Sequence, residues 1–155
     1  MTHRKVTWLL FACCAWGLAG CAKISDRSWR FVSAKVDAIA LVNEQLLQGE
    51  MSLAPDRSGT LRLAADKGPI VSCVGNLRYT ATAQSMVDLR CNDGSVSELQ
   101  ISLLSEVKGY GYGRSASAGI SLVFGLTNQE AMAYLSLPAN KKLVERSTDG
   151  LLELQ

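Results

Sequence analysis

The chain has 155 residues, of which 16 are Lys or Arg, 14 are Asp or Glu and one, His3, is histidine. Its formal net charge at pH 7 is +2. This near balance argues against a nucleic-acid partner, because phosphate binding depends on clustered basic side chains. The length suits one compact domain of ordinary size.

The first segment has the three parts of a secretory signal. Arg4 and Lys5 precede an apolar core from Val6 to Trp16, and small residues follow at positions 17, 19 and 20. A membrane-spanning helix would need about 20 apolar residues. Because residues 6–20 provide 15 before Cys21 and the charged Lys23, a removable signal is the better interpretation.

The segment closes with Leu18-Ala19-Gly20-Cys21, which resembles the lipobox of bacterial lipoproteins. The resemblance covers residues 1–21 and does not extend to the rest of the chain. It implies that residues 1–20 are removed, that Cys21 carries lipid, and that residues 21–28 form a tether. Residues 29–155 are then expected to be a single β-rich periplasmic domain. The alternative is an ordinary signal peptide without lipid, since Cys13 and Cys14 also lie in this segment.

The lipobox resemblance also implies a location. Ala22 stands where the family's inner-membrane retention signal would place an aspartate, so we expect an outer-membrane lipid anchor with the domain facing the periplasm. Display on the cell surface is the alternative. Several acyl chains give stable anchoring, whereas one binds only marginally.

Removal of the signal also limits the chemistry of the mature chain. With His3 removed, the chain cannot build catalytic triads or the usual histidine-containing metal sites, so we expect no enzyme, no metal and no cofactor. Carboxylate-pair hydrolysis, Ser-Lys catalysis and calcium sites with oxygen ligands survive this exclusion, but none has a recognisable motif here. For a carboxylate-based enzyme the nearest candidates in sequence are Asp88, Asp93, Glu98 and Glu106.

Of the five cysteines, Cys73 and Cys91 remain after the signal and the lipidated residue are set aside. In an oxidising periplasm we expect them to form a disulfide across a hairpin centred near Thr82. Closing the 18-residue loop would contribute about 3 kcal/mol. A redox-active pair is the alternative, but it usually takes the form C-x-x-C, which is absent here.

The stretch from Trp29 to Leu47 fits two structures. Apolar residues at helical spacing allow a helix, whereas the alternation from Val32 to Val42 allows a strand, and periodicity alone does not decide between them. Trp29 and Phe31 are expected in the core, because large aromatic side chains dominate core burial. The alternative places Trp29 at the membrane interface.

Alternating apolar residues separated by turn formers predict strands from Gln48 to Leu103. Residues 55–59 separate the first two strands, Gln48–Leu53 and Thr60–Leu63, and Asn92-Asp93-Gly94 makes a later turn. Three strands then form a meander after Pro69. Their shared apolar faces are Val71, Cys73, Gly75, Leu77 and Tyr79; Val87, Leu89 and Cys91; and Leu99, Ile101 and Leu103.

Gly109-Tyr110-Gly111-Tyr112-Gly113-Arg114 is the most unusual composition in the mature chain. One interpretation is a strand with glycine bulges that leads into a flexible hairpin tip. The other makes Tyr110, Tyr112 and Arg114 a contact surface, since Tyr and Arg are enriched at interface hot spots.

The last part of the chain contains a helix signal. Thr127-Asn128-Gln129-Glu130 matches a capping box and predicts a short helix that ends near Leu135. Residues 141–155 either form a last hairpin or fray. The fold class expected is therefore mainly β, an antiparallel sheet or a small sandwich or barrel, with a short C-terminal helix and possibly an N-terminal one.

These features favour a membrane-anchored, non-catalytic module that binds another protein of the cell envelope or helps assemble an envelope machine. The alternative is a protein that binds a small ligand, such as a lipid, a glycan or a peptidoglycan fragment, in a β cavity. A filled core with an exposed apolar patch would favour the protein partner.

Overall fold

Eight antiparallel strands close into a barrel in the computed structural model, which describes residues 33–115, 118–146 and 150–155. Each strand pairs with the next along the chain, and β1 pairs with β8. The strands are β1 (Ala34–Val42), β2 (Gln45–Leu53), β3 (Ser58–Ala64), β4 (Ser72–Ala81), β5 (Gln84–Cys91), β6 (Val96–Ser105), β7 (Lys108–Arg114) and β8 (Gly119–Phe124).

Closure follows from the register of the first and last strands. Ala38 lies opposite both Gly49 on β2 and Phe124 on β8, so the same residue joins the two ends of the meander. Each of the eight strands has a partner on both sides, although β8 pairs only with residues 38–42 of β1, so that the first residues of β1 pair with β2 alone.

The barrel interior is filled by side chains. Inward residues alternate with outward ones along the strands, and most of the inward aliphatic side chains are fully buried. On β7 the inward positions are Gly109, Gly111 and Gly113, which face Leu103, Ile101 and Leu99 on β6. The buried interior cluster is Ala38, Ala40, Val42, Leu47, Met51, Leu53, Leu61, Leu63, Ile70, Cys73, Leu77, Val87, Leu89, Leu99, Ile101, Ile120, Leu122 and Phe124.

A second apolar cluster lies outside the barrel. Helix α1 (Asn128–Tyr134) and a two-stranded hairpin of β9 (Leu143–Glu145) and β10 (Leu152–Leu154) supply its outer half. Ile39 and Val123, on the outward faces of β1 and β8, supply part of its inner half. The C-terminal segment thus covers the seam where the barrel closes.

The two ends of the barrel differ. At one end, which we call the closed end, the connection between β3 and β4 folds inward, and Ile70 joins the interior cluster. The Gln45 side chain holds this connection through hydrogen bonds with the backbone of Lys67 and Ile70. At the other end, the open end, β1 begins and the β2–β3, β4–β5 and β6–β7 turns lie together.

The expectation of a mainly β fold with a short C-terminal helix is confirmed. The capping box at Thr127 is present, and the chain after Lys141 pairs as a hairpin. The alternative of an N-terminal helix is wrong for residues 34–42, which form β1. Trp29 and Phe31 lie outside the described residues.

Two details of the predicted strands need correction. Val71 was expected inside the sheet, but it precedes β4 and is exposed. The predicted glycine bulges in β7 are also wrong, because Gly109 to Gly113 pair in continuous register with both neighbouring strands. The register shift on this side occurs between Leu103 and Ser105, at the end of β6.

Candidate functional site

The predicted disulfide between Cys73 and Cys91 is confirmed. The two residues lie opposite each other on β4 and β5 with Cα atoms 4.0 Å apart. Cys73 is buried in the barrel interior. The turn that joins these strands contains Thr82, as the sequence predicted. The pair therefore fastens one hairpin of the barrel near its closed end.

The tyrosines of β7 point out of the barrel and contact the C-terminal helix. The ring of Tyr110 stacks on that of Tyr134, with 4.4 Å between centroids, and belongs to the second apolar cluster. The Tyr112 hydroxyl donates a hydrogen bond to the Tyr134 carbonyl at 2.7 Å. Desolvation raises the pKa of the Tyr112 phenol above its ordinary value of 10.0, and Tyr110 and Tyr134 add to this effect.

These contacts divide the candidate surface of Tyr110, Tyr112 and Arg114. Tyr110 is half-buried and serves the packing of α1. Tyr112 remains 44% exposed, and Arg114 is also exposed. Two of the three residues therefore remain available to a partner, and Tyr112 is held in place by its own hydrogen bond.

A second exposed surface contains two valines. Val74 and Val96 are 55% and 66% exposed, and they flank Arg90 in cross-strand register. Arg62 lies opposite Val74 on its other side. We call Arg62, Val74, Arg90 and Val96 the valine–arginine patch, which lies on the outer wall of β3 to β6 toward the closed end.

The two arginines of this patch are free to pair with acidic groups of a partner. Arg62 and Arg90 are exposed, and within the described part of the chain neither forms an ion pair. Glu50 lies opposite Arg62 in the register, but its carboxylate is paired with Lys35 at 3.2 Å. Apolar area beside unpaired guanidinium groups suits a surface with apolar and acidic side chains.

The positions of Val74 and Val96 in the strand alternation could have identified this patch from the sequence. Val74 stands between the inward residues Cys73 and Gly75, so its position in the alternation points outward. Val96 has the same phase relative to Ser97 and Leu99. An apolar side chain at an outward position on a solvent-facing strand is the feature that identifies both.

A shallow cleft of about 530 Å³ lies at the open end. Leu53, Tyr79 and Leu103 supply its apolar wall, and the Arg57 guanidinium lies 5.6 Å from the centroid of the Tyr79 ring. Glu106 is at its rim. The cleft is open to solvent and lies where the β2–β3, β4–β5 and β6–β7 turns come together.

The four candidate carboxylates do not form one site. Asp88 and Glu98 are cross-strand neighbours on the outer wall, and Arg78 binds Asp88 at 3.0 Å and Glu98 at 3.7 Å. Asp93 lies in the turn at the closed end, where hydrogen bonds from the hydroxyl and amide of Ser95 lower the pKa of its carboxyl. Glu106 lies at the open end.

No three His, Cys, Asp or Glu side chains in residues 33–115, 118–146 and 150–155 are grouped so that they could hold a metal ion. Within the same residues, we find no helix with the length and apolar character needed to span a bilayer. Cys21 lies outside the described residues.

Comparisons of the chain with protein-family models, with curated proteins and with solved structures find no match. The function must therefore be inferred from the residues and geometry above.

Proposed function

We propose that this chain is a lipoprotein of the bacterial cell envelope, anchored by lipid at Cys21, whose barrel is a non-catalytic module that binds another envelope protein. The filled barrel interior carries this proposal. Leu47, Met51, Leu61 and Leu99 are fully buried there, so recognition has to use the outer wall or the rims.

The valine–arginine patch supports a protein partner. Its two valines, Val74 and Val96, are 55% and 66% exposed and lie on either side of Arg90 on one wall. A partner that covers them with apolar side chains and places carboxylates near Arg62 and Arg90 would bury apolar area and pair two charges. At this patch β3 to β6 are paired on both sides, so side chains would supply the contact there.

The lipid anchor supports the envelope location. Leu18-Ala19-Gly20-Cys21 has the small residues and the cysteine of a lipobox, and Ala22 favours the outer membrane. Tethering raises the local concentration of the barrel near membrane partners, so even a modest contact at the patch would be occupied.

Photocrosslinking in intact cells tests this proposal. A photoreactive amino acid is placed at Val74 or at Val96, and a matched probe is placed at Ala133, which is exposed on α1 at the other side of the barrel. We expect one protein partner to be trapped from both valine positions and not from Ala133. In the Cys21→Ser background the yield should fall, because the tether is lost.

A probe at Tyr112 resolves the two candidate surfaces. If the partner is trapped from Tyr112 and not from the valines, the contact surface is that of Tyr112 and Arg114 and the valine–arginine patch is wrong. If no protein is trapped from any of these positions, the proposal of a protein-binding module fails.

Binding of a small ligand is the second candidate, and the cleft at the open end is the observation that favours it. Its apolar wall and the Arg57 and Glu106 charges could hold a small amphipathic molecule. Native mass spectrometry of the delipidated domain checks this idea. A retained ligand that is lost in Tyr79→Ala would support it, whereas a bare domain from cells and no uptake of envelope lipids or glycans would count against it.

A further inference from the structure

The hairpin of β6 and β7 places two apolar side chains at the open end, Leu104 near the end of β6 and Val107 in the turn. Leu104 is 49% exposed and Val107 is 37% exposed. Leu104 lines the cleft whose apolar wall also includes Leu53, Tyr79 and Leu103, and Val107 follows Glu106 of the same lining along the chain. The open end therefore combines protruding aliphatic groups with an aromatic ring and a guanidinium, a combination that suits the boundary between acyl chains and headgroups.

The chain enters the barrel at this same end, because β1 begins there at Ala34. Twelve residues, 22–33, separate Ala34 from Cys21. At roughly 3.4 Å per residue they reach at most about 40 Å. β1 has nine residues, so the closed end lies up to about 30 Å farther along the strand direction. A lipid at Cys21 thus brings the open end to the bilayer directly, whereas the closed end would need the linker to run along the barrel.

From these observations we infer that the open end of the barrel docks on the bilayer that anchors the chain, with Leu104 and Val107 inserted at the headgroup boundary. This inference rests on the lipid anchor proposed above. It adds an orientation, because the valine–arginine patch then lies toward the end that points away from the membrane and stays accessible to a partner.

The charges at the open end indicate that apolar insertion drives this docking. Arg57 lies at this end together with the acidic Asp56 and Glu106, so the described residues of the end carry no basic excess. Hydrogen bonds from the hydroxyl and amide of Ser58 lower the pKa of the Asp56 carboxyl, which is therefore ionised at neutral pH. The basic residues nearest this end, Lys35 and Lys108, are paired with Glu50 and Glu130. Docking should therefore change little with salt.

Tryptophan quenching in vesicles tests the orientation. The mature chain has one tryptophan, Trp29, because Trp8 and Trp16 belong to the signal. In a Trp29→Phe background, Leu104→Trp reports on the open end and Val96→Trp on the closed end. Both positions are exposed, so each probe should leave the fold intact. The proteins, purified from cells that express the full chain, are reconstituted in vesicles of phosphatidylethanolamine and phosphatidylglycerol that carry brominated acyl chains.

We expect Leu104→Trp to be quenched several-fold more strongly than Val96→Trp, with blue-shifted emission that high salt does not reverse. Equal quenching, or stronger quenching of Val96→Trp, would overturn the orientation while leaving the anchor in place. Flotation of the same vesicles separates the two proposals. If the protein floats and neither probe is quenched, only the docking fails; if the protein does not float, the lipid anchor fails and the docking fails with it.

Discussion

The ring of Phe124 on β8 fills the space that a side chain on Gly109 would need. The two residues are cross-strand partners, and a Cβ built on Gly109 would lie 2.6 Å from Phe124 Cζ. A similar clash occurs two residues further along β7, where a Cβ on Gly111 would meet Cδ1 of Ile101 on β6. The glycines of β7 thus leave room in the interior for large side chains of both neighbouring strands.

Gly109→Ala should therefore destabilise the barrel by about 1–3 kcal/mol, the usual cost of forcing extra volume into a packed core. Gly119→Ala is the matched control, since a Cβ there meets nothing within 4 Å. Its effect should stay within about 0.5 kcal/mol. Urea unfolding of both variants measures the difference. Equal stability of the two variants would show that the β7 glycines are not required for packing.

The Cys73–Cys91 disulfide should stabilise the domain by about 3 kcal/mol, because it closes an 18-residue loop in the unfolded chain. The double variant Cys73→Ala/Cys91→Ala should lose this stabilisation, and its urea midpoint should be insensitive to reductant. The wild-type midpoint should fall toward that of the double variant when reductant is added. A wild-type midpoint that does not respond to complete reduction would contradict this role.

The side-chain amides of two glutamines on β2 form hydrogen bonds with the backbone of two different segments. Gln45 holds the β3–β4 connection at Ile70, and Gln48 both donates to and accepts from the backbone of Leu152 on β10. Gln45→Ala should speed hydrogen exchange of the Ile70 amide, and Gln48→Ala that of the Leu152 amide. Each variant serves as the control for the other. Uniform acceleration in both variants would mean that the two segments are not fastened separately.

The capping box of α1 should give the helix a pH-dependent stability. The Thr127 amide, followed by the Thr127 hydroxyl, lowers the pKa of the Glu130 carboxyl below its ordinary 4.5. The stabilisation is therefore complete above pH 4.5 and is lost as the pH falls through the lowered value. Glu130→Gln keeps the cap geometry without the charge.

Thermal melts of wild type and Glu130→Gln, taken from neutral pH to well below the ordinary glutamate pKa, measure this effect. The wild type should melt higher at neutral pH, and the gap should close as the pH falls. A separate variant, Thr127→Ala, removes the cap itself and should cost about 1 kcal/mol. If the difference in melting temperature between wild type and Glu130→Gln widens on acidification, the predicted direction of the pH dependence is wrong.

The strands of the central meander could be predicted from the sequence because each has one face in the barrel and one in water. β1 gave an ambiguous pattern for a physical reason. Its second half is buried on both faces, since Ile39 and Leu41 pack under the C-terminal segment while Ala38 and Ala40 face the interior. Burial on both sides removes the alternation that distinguishes a strand from a helix.

Neither the closure of the barrel nor its exposed sites could be predicted from local sequence patterns. The pairing of Ala38 with Phe124 joins residues far apart in the chain, and the composition of neither segment encodes it. Of the candidate contact residues, Tyr112 and Arg114 are exposed, but Tyr110 packs on Tyr134 because α1 folds back over β8. The valine–arginine patch depends on the register of four strands, which single-strand patterns do not reveal.

The covalent state of Cys21 is the feature on which the whole account depends. Intact-mass analysis of the mature protein extracted from membranes, combined with labelled palmitate, determines it directly. We predict a chain that begins at Cys21 and carries a diacylglyceryl group and an amide-linked fatty acid, with no label in Cys21→Ser. A mature chain that begins at another residue, or one without acyl groups, would contradict the account.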